Sequence, residues 1–299
     1  MIEGIEICKK FGDFTALDHL SFQVETGTVY GLIGPNGAGK STLLRHTAGI
    51  FKPDSGEILY DGEPVFENHG AKQKMAFIPD DVFFYNHSTI VDMKNYYKGI
   101  YQKFDEKVFE ELWACFPLLD RKTPMRRMSK GMQKQAAFML AISMRPEFLM
   151  LDEPVDGLDP VMRRQIWSIL MSEVSEKKMS VLISSHNLRE LEDVCDHIGI
   201  MNKGKILLQH SLEDLQSSVT KIQVVFEDEM PDLDREFHIV SRSDLGKVHT
   251  LIIRGDSGEI TDALNKYHLI FMEVLPLSLE EIFIYELEGE HYEVKDIIL

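Results

Sequence analysis

The stretch Gly34-Pro35-Asn36-Gly37-Ala38-Gly39-Lys40-Ser41-Thr42 constrains this chain more than any other. It fits the spacing G-x-x-x-x-G-K-[ST] of a loop that wraps nucleotide phosphates. Its glycines leave backbone N–H groups free to curl around an anion without side-chain clash. Lys40 supplies a point charge for the terminal phosphate oxygens, and the Ser41 hydroxyl is suited to ligate Mg²⁺. The flanks agree: Val29-Tyr30-Gly31-Leu32-Ile33 reads as a buried strand, and residues 41–48 read as a helix whose N-terminus faces the phosphate. The alternative reading, a glycine-rich turn, does not explain that setting.

A second apolar run, Phe148-Leu149-Met150-Leu151, ends in Asp152-Glu153-Pro154. Four apolar residues in succession suit a central parallel strand buried on both faces. The two carboxylates then project into the crevice where open α/β sheets bind ligands. One can hold Mg²⁺ through water and the next can orient an attacking water. A third apolar strand, Val181-Leu182-Ile183, leads into Ser184-Ser185-His186.

The remaining motifs resemble those of the ATP-binding cassette (ABC) ATPases. Met128-Ser129-Lys130-Gly131-Met132-Gln133-Lys134-Gln135 is similar to that family's signature motif, and it lies just upstream of the Asp152-Glu153 strand, as in the family. Asp156-Gly157-Leu158-Asp159-Pro160 resembles its D-loop, and His186 its switch histidine. The motifs fall in family order over about the first 215 residues. The run at 184–193, with Asp80, is similar to the Ytr-type subgroup of bacterial exporters. The resemblance implies an α/β P-loop NTPase with a RecA-like core, an antiparallel β-subdomain and a helical signature subdomain at about 90–146, followed by a small α+β C-terminal domain.

The resemblance also assigns roles, with ATP and Mg²⁺ as cofactors. Phe11 matches the aromatic that stacks on adenine, although a phenylalanine beside a strand is by itself a core residue. Gly34, Pro35, Asn36, Gly37, Ala38, Gly39, Lys40, Ser41 and Thr42 would hold the triphosphate. Ser41 and Asp152 would serve the metal, Glu153 would be the general base or water-positioning group, and His186 would sense the γ-phosphate. Ser129 and Gly131 would contact the γ-phosphate held by the opposite subunit, and Asp159 of the D-loop belongs to the same binding set. One phosphate loop and one signature segment per chain imply a head-to-tail dimer, either with an identical chain or with a sister ATPase.

Two departures from the family stand out. Lys130 and Met132 replace the first Gly and the Gln of the usual signature. After the strand Met75-Ala76-Phe77-Ile78-Pro79 the family generally has a Gln that touches Mg²⁺ and links the site to the membrane partner. This chain has Asp80-Asp81. A carboxylate is also a hard oxygen donor, so Asp80 is expected to take the Gln role at the metal, against the plainer reading of a turn after a strand.

Composition bounds the rest. A length of 299 residues suits two domains. The three cysteines, Cys8, Cys115 and Cys195, are far apart and read as reduced thiols. No run reaches the roughly 18 apolar residues of a spanning helix, and the N-terminus lacks a signal peptide's basic and apolar blocks. The net charge of −17 disfavours nucleic acid and direct adsorption to anionic lipid. A cytoplasmic protein without membrane insertion, peripheral on the inner face of the cell membrane through a transmembrane permease subunit, is expected. From Lys221 onward 7 basic and 18 acidic residues give −11, against −6 before it, which marks a domain boundary near 217/218. In the tail, strands are expected at 222–226, 237–240, 248–253 and 270–274, and helices at 260–267 and 279–287. Leu277-Ser278-Leu279-Glu280-Glu281-Ile282-Phe283 resembles the closing segment of many exporter ATPases, or is an acidic helix packed on its own domain. Tyr96, Tyr97, Ile100 and Phe104 recur at helical spacing, as core or as part of a groove for a permease helix. The function implied is the ATP-hydrolysing subunit of an ABC exporter. The alternative, a soluble ABC ATPase acting on ribosomes or chromosomes, would call for two cassettes, a coiled-coil insertion or a basic patch.

Overall fold

The computed structural model describes residues 1–281 other than 86 and 229. It divides into two compact units, Met1–Gln209 and His210–Leu299. The first opens on the antiparallel pair β1 (Ile2–Phe11) and β2 (Phe14–Val24). Strand β3 (Val29–Ile33) and helix α1 (Lys40–Thr47) follow, then β4 (Ser55–Tyr60) and β5 (Glu63–Pro64). Strands β1, β2, β4 and β5 make an antiparallel sheet in the order β2-β1-β4-β5. Next come α2 (His69–Lys72), β6 (Met75–Ile78), α3 (Ile90–Ile100), α4 (Glu106–Cys115) and α5 (Lys130–Ser143). The unit closes with β7 (Phe148–Asp152), α6 (Pro160–Lys177), β8 (Ser180–Ser185), α7 (Leu188–Glu192), β9 (His197–Asn202) and β10 (Lys205–Ser211).

The central sheet runs β10-β9-β3-β8-β7-β6. Strands β3, β7 and β8 are buried at every residue, as continuous apolar runs in a covered parallel sheet must be. Register then decides what meets at the C-terminal edge. Ile33 pairs with Ser185, and Asp152 pairs with Ser184, both in parallel. The starts of the phosphate loop, the Asp152-Glu153 pair and the Ser185-His186 turn therefore leave the sheet side by side. A core including Ile7, Leu20, Leu43, Leu44, Phe148 and Leu182 joins the antiparallel sheet to the central one.

The segment between β6 and β7 is helical because each helix has its own start signal. Thr89 and Asp92 form a reciprocal capping box on α3, and Asp105 accepts two backbone N–H bonds at the start of α4. Ser129 caps α5 by accepting from the Met132 N–H at 3.2 Å. Tyr96 and Ile100 are 45% and 44% exposed while Tyr97 and Phe104 are half-buried, so the stripe expected from helical spacing is only partly core.

From its sequence, 186–196 reads as one helix with Leu188, Leu191 and Val194 on one face, but the helix found there is shorter. It covers only Leu188–Glu192, because Asn187 stays extended and caps it, and Asp196 already pairs its backbone N–H with the Val29 carbonyl.

In the second unit α8 (Leu212–Ser218) precedes a sheet of β11 (Val219–Phe226), β12 (Ile239–Leu245), β13 (Val248–Arg254) and β14 (Leu269–Leu275), in the order β12-β13-β11-β14, with α9 (Ser257–Leu264) against it. Helix α8 packs with β11, so the charge change at 217/218 falls one helix after the division between units. The strand expected at 237–240 starts later and runs to Leu245, since Phe237 is held in a turn by the Leu233 carbonyl. The helix expected at 279–287 is helical over 279–281, and its remainder, with the end of the Leu277–Phe283 run, lies outside the described residues. Among the described residues no helix is long and apolar enough to cross a membrane.

Candidate functional site

A cleft of about 260 Å³ opens at the C-terminal edge of the central sheet, lined by Phe14, residues 35–42, Asp80 and Glu153. The phosphate loop is shaped by close approaches that exclude side chains. A Cβ on Gly34 would stand 2.1 Å from the Met201 carbonyl oxygen. Gly39 has φ 109°, and a Cβ there would stand 2.6 Å from the Ala16 carbonyl oxygen. Gly39 caps α1 in this left-handed conformation with no side-chain cap, so the first N–H groups of the helix remain available to an anion. Lys40 is buried and donates to the Gly34 and Pro35 carbonyls, folding the loop back on itself. Burial holds its ammonium below the ordinary lysine value, with Glu153 and then Asp152 opposing that fall.

The carboxylates take distinct positions. Asp152 is buried behind the loop, and its Oδ1 accepts from Ser41 Oγ at 3.1 Å and Ser184 Oγ at 2.6 Å. Ser41 and Asp152 thus offer hard oxygens in series, the donor type Mg²⁺ takes. Glu153 faces the cleft with a left-handed backbone, φ 48°. Its Oε2 lies 3.0 Å from His186 Nδ1, and its Oε1 lies 3.9 Å from Lys40 Nζ. Burial pushes its carboxyl above the usual glutamate value, and the His186 hydrogen bond and the Lys40 charge pull against that rise. A half-buried carboxylate beside a cationic loop is fitted to take a proton from, or orient, a water.

Not every expected residue gathers here. Phe11 does not line the cleft, whereas Phe14 does, 61% exposed. The two are cross-strand partners around a two-residue turn, and Phe11 is drawn onto Phe51, edge to face at 5.9 Å. Asp159 does not line the cleft either. Its carboxylate is committed to capping α6, accepting from the Val161 and Met162 N–H groups. Ser129 and Gly131 are absent from the lining of the chain's own cleft. Gly131 instead abuts Leu158 of the Asp156–Asp159 turn. Asp80 lines the cleft as expected, but its carboxylate is taken by Lys134 Nζ at 2.9 Å, and a metal would compete with that ion pair.

Sequence reasoning assigned no role to Phe14, Ser184 or Lys134. Phe14 carried a faint signal, an aromatic in a hairpin beside the expected adenine platform. Ser184 and Lys134 carried none, because their partners are set by strand register and by a helix crossing.

The ABC transporter family model matches residues 17–156. Over 97% of its length the chain is 32% identical to the ABC transporter ATP-binding protein YtrB of Bacillus subtilis (strain 168), spanning 99% of that protein. The chain belongs to the ABC transporter family. It is the ATP-binding cassette of such a transporter, and it is an ATPase. The cassette is also 33% identical, over 78% of its length, to the probable multidrug ABC transporter ATP-binding protein YbhF of Escherichia coli (strain K12), of which it spans 40%. Among solved structures it is similar to the ATP binding subunit of an ABC transporter, at a TM-score of 0.66 and 26% identity, covering 72% of this chain and 92% of that one.

The position of Glu153 gives a pH expectation for the cassette. If Glu153 acts as the base it must be ionised to do so, and burial raises its carboxyl, so turnover should then fall on acidification at a higher pH than an ordinary glutamate of pKa about 4.3 would give. Because the His186 hydrogen bond lowers Glu153, His186→Ala should move that acid limb further up. A single-turnover pH profile checks both, and a limb that moves down in His186→Ala contradicts the assignment.

Proposed function

We propose that two cassettes close head to tail on ATP and Mg²⁺, that hydrolysis reopens them, and that this cycle drives a separate membrane permease of the exporter type from the cytoplasmic face. The observation that carries the reading is the separation, within one chain, of the phosphate-loop cleft from Ser129 and Gly131. Ser129 stands at the N-terminus of α5, whose first turn holds no acidic residue and begins with the exposed Lys130. Such a helix end suits an anion, and the anion it would seal is the triphosphate of a second cassette.

The chain's own residues divide the work. Residues 36–42 bind the phosphates through backbone N–H groups and Lys40. Ser41 would hold Mg²⁺, with Asp152 fixing the hydroxyl from behind. When bound, the ion neutralises phosphate charge. Glu153 orients the attacking water, and His186 bonds Glu153 through Nδ1 at 3.0 Å. Phe14 is the aromatic placed to cover the base. The proposed domain reading is an ATP-binding unit followed by a small acidic α+β domain.

The permease reading rests on a groove of about 260 Å³ between α1, β6 and the helical segment, lined by Ile50, Phe77, Tyr97, Tyr101 and Met144 among others. Beside it Phe83, Tyr85 and Tyr96 are 81%, 52% and 45% exposed. An exposed aromatic patch on a cassette with no spanning helix among its described residues suits an amphipathic helix from a membrane partner. The name of YbhF, a probable multidrug transporter protein, favours export.

Ser129→Arg tests the dimer. It should abolish ATP-induced dimerisation in sedimentation velocity, while monomeric nucleotide affinity stays within about threefold, since Ser129 is outside its own cleft. Unchanged dimerisation would remove the shared-site reading.

A further inference from the structure

Lys134 lies one turn into α5 and is 6% exposed. A buried ammonium needs partners, and this one has two. Its Nζ donates to Asp80 Oδ1 at 2.9 Å and to the Glu153 backbone carbonyl at 2.7 Å. The first partner lines the nucleotide cleft, half exposed. The second belongs to a non-glycine residue in a left-handed conformation, φ 48°. Such a conformation is unfavourable for a side chain as large as Glu and persists where the surroundings fix it. Three bonds fix this one: the Glu153 N–H donates to the Ser184 carbonyl at 3.1 Å, and the Glu153 carbonyl accepts from Lys134 at 2.7 Å and, at a longer 3.4 Å, from the Asp156 N–H.

We propose that Lys134 is a positioning residue of the cassette: its ammonium clamps the Glu153 backbone, and with it the side chain's aim into the cleft, and at the same time neutralises the Asp80 carboxylate at the cleft wall. Without that neutralisation Asp80 would set a negative charge where a polyphosphate must enter. Asp80 and Lys134 therefore act as a charge-balanced unit linking the signature helix to the base. The clamp rests on Glu153 serving as the water-orienting group, whereas the charge balance does not.

Equilibrium binding of a fluorescent ATP analogue with Mg²⁺, alongside kcat and KM, separates the two parts. Lys134→Gln leaves Asp80 unpaired, and affinity should fall about tenfold, the size of a like-charge contact at the wall of a partly solvated cleft. Its kcat should fall about tenfold as well, through the loosened Glu153 backbone. Adding Asp80→Asn should return affinity to within about threefold of the parent while kcat stays low, because the carbonyl still lacks its ammonium. A uniformly structural role would lower both quantities together in both variants. Affinity within twofold of the parent in Lys134→Gln, or a double variant binding no better than the single, overturns the charge balance. Full kcat in the double variant overturns the clamp. If Lys134→Gln fails to fold, Asp80→Asn alone decides the charge balance. It should tighten nucleotide binding about threefold, and weaker or unchanged binding would overturn the pairing in favour of a metal-ligating Asp80. Should Glu153→Gln hydrolyse ATP normally, the base assignment fails first, and the binding results still judge the ion pair.

Discussion

Glu153→Gln should reduce ATP hydrolysis by roughly 10²- to 10⁴-fold, the usual contribution of a positioned general base, while leaving nucleotide binding intact or tighter. The substitution keeps the shape of the side chain and its reach to His186 Nδ1, 3.0 Å away. It also leaves the backbone bonds to Ser184 and Lys134 untouched. What disappears is a half-buried negative charge that shares the cleft wall with Lys40 and already pays a burial penalty, visible as a carboxyl raised above its usual value. Removing it lowers the electrostatic cost of admitting a triphosphate and deletes the group that would activate water. The variant should accumulate as a dimer in the presence of ATP and Mg²⁺, measurable by sedimentation. Turnover within about threefold of the parent would show that another group does the work.

Lys40→Met should separate binding from stability. The Lys40 ammonium sits 7% exposed, bonded to the Gly34 and Pro35 carbonyls, and burial disfavours its charge. A methionine of similar length removes that desolvated charge, so the thermal midpoint without nucleotide should hold or rise. Charge-assisted bonds to phosphate contribute about 1.5–3 kcal/mol each, and losing them should weaken ATP binding by about 10²-fold or more. At an ATP concentration 100 times the parent dissociation constant, the parent gains about 2.7 kcal/mol of stability, and the variant about 0.4 kcal/mol. Differential scanning fluorimetry with and without ATP reads the contrast. An ATP-induced shift equal to the parent's would remove Lys40 from the phosphate site.

Much of the site was legible because its motifs are local. The phosphate loop needs glycines at positions where backbone crowds backbone, and Gly34 and Gly39 show that crowding directly. The three apolar strands were legible because burial on both faces admits little but apolar residues, and β3, β7 and β8 are buried throughout. Legibility failed where two segments compete for one role. Phe11 and Phe14 share a hairpin and a residue type, and the fold lays Phe11 on Phe51 and Phe14 at the cleft wall. A polar group can also serve a local need that residue type alone does not announce. Asp159 reads as part of a nucleotide-binding loop, yet its carboxylate caps α6. The helix expected at 186–196 was overextended because the return to β9 is fixed by pairing with β3, a contact distant in sequence.

The sequence by itself determined the phosphate-binding loop, the buried parallel strands, the carboxylate pair at a strand end and the family, since each depends on residue types at fixed short spacing. The tertiary structure alone decided that Ser184 holds Asp152, that Phe14 faces the cleft, and that Lys134 joins Asp80 to the Glu153 backbone. Those contacts reach across the chain, from 19 residues between Lys134 and Glu153 to 54 between Lys134 and Asp80. They arise from strand register and helix placement, which are properties of the packed core and leave no periodic trace along the chain.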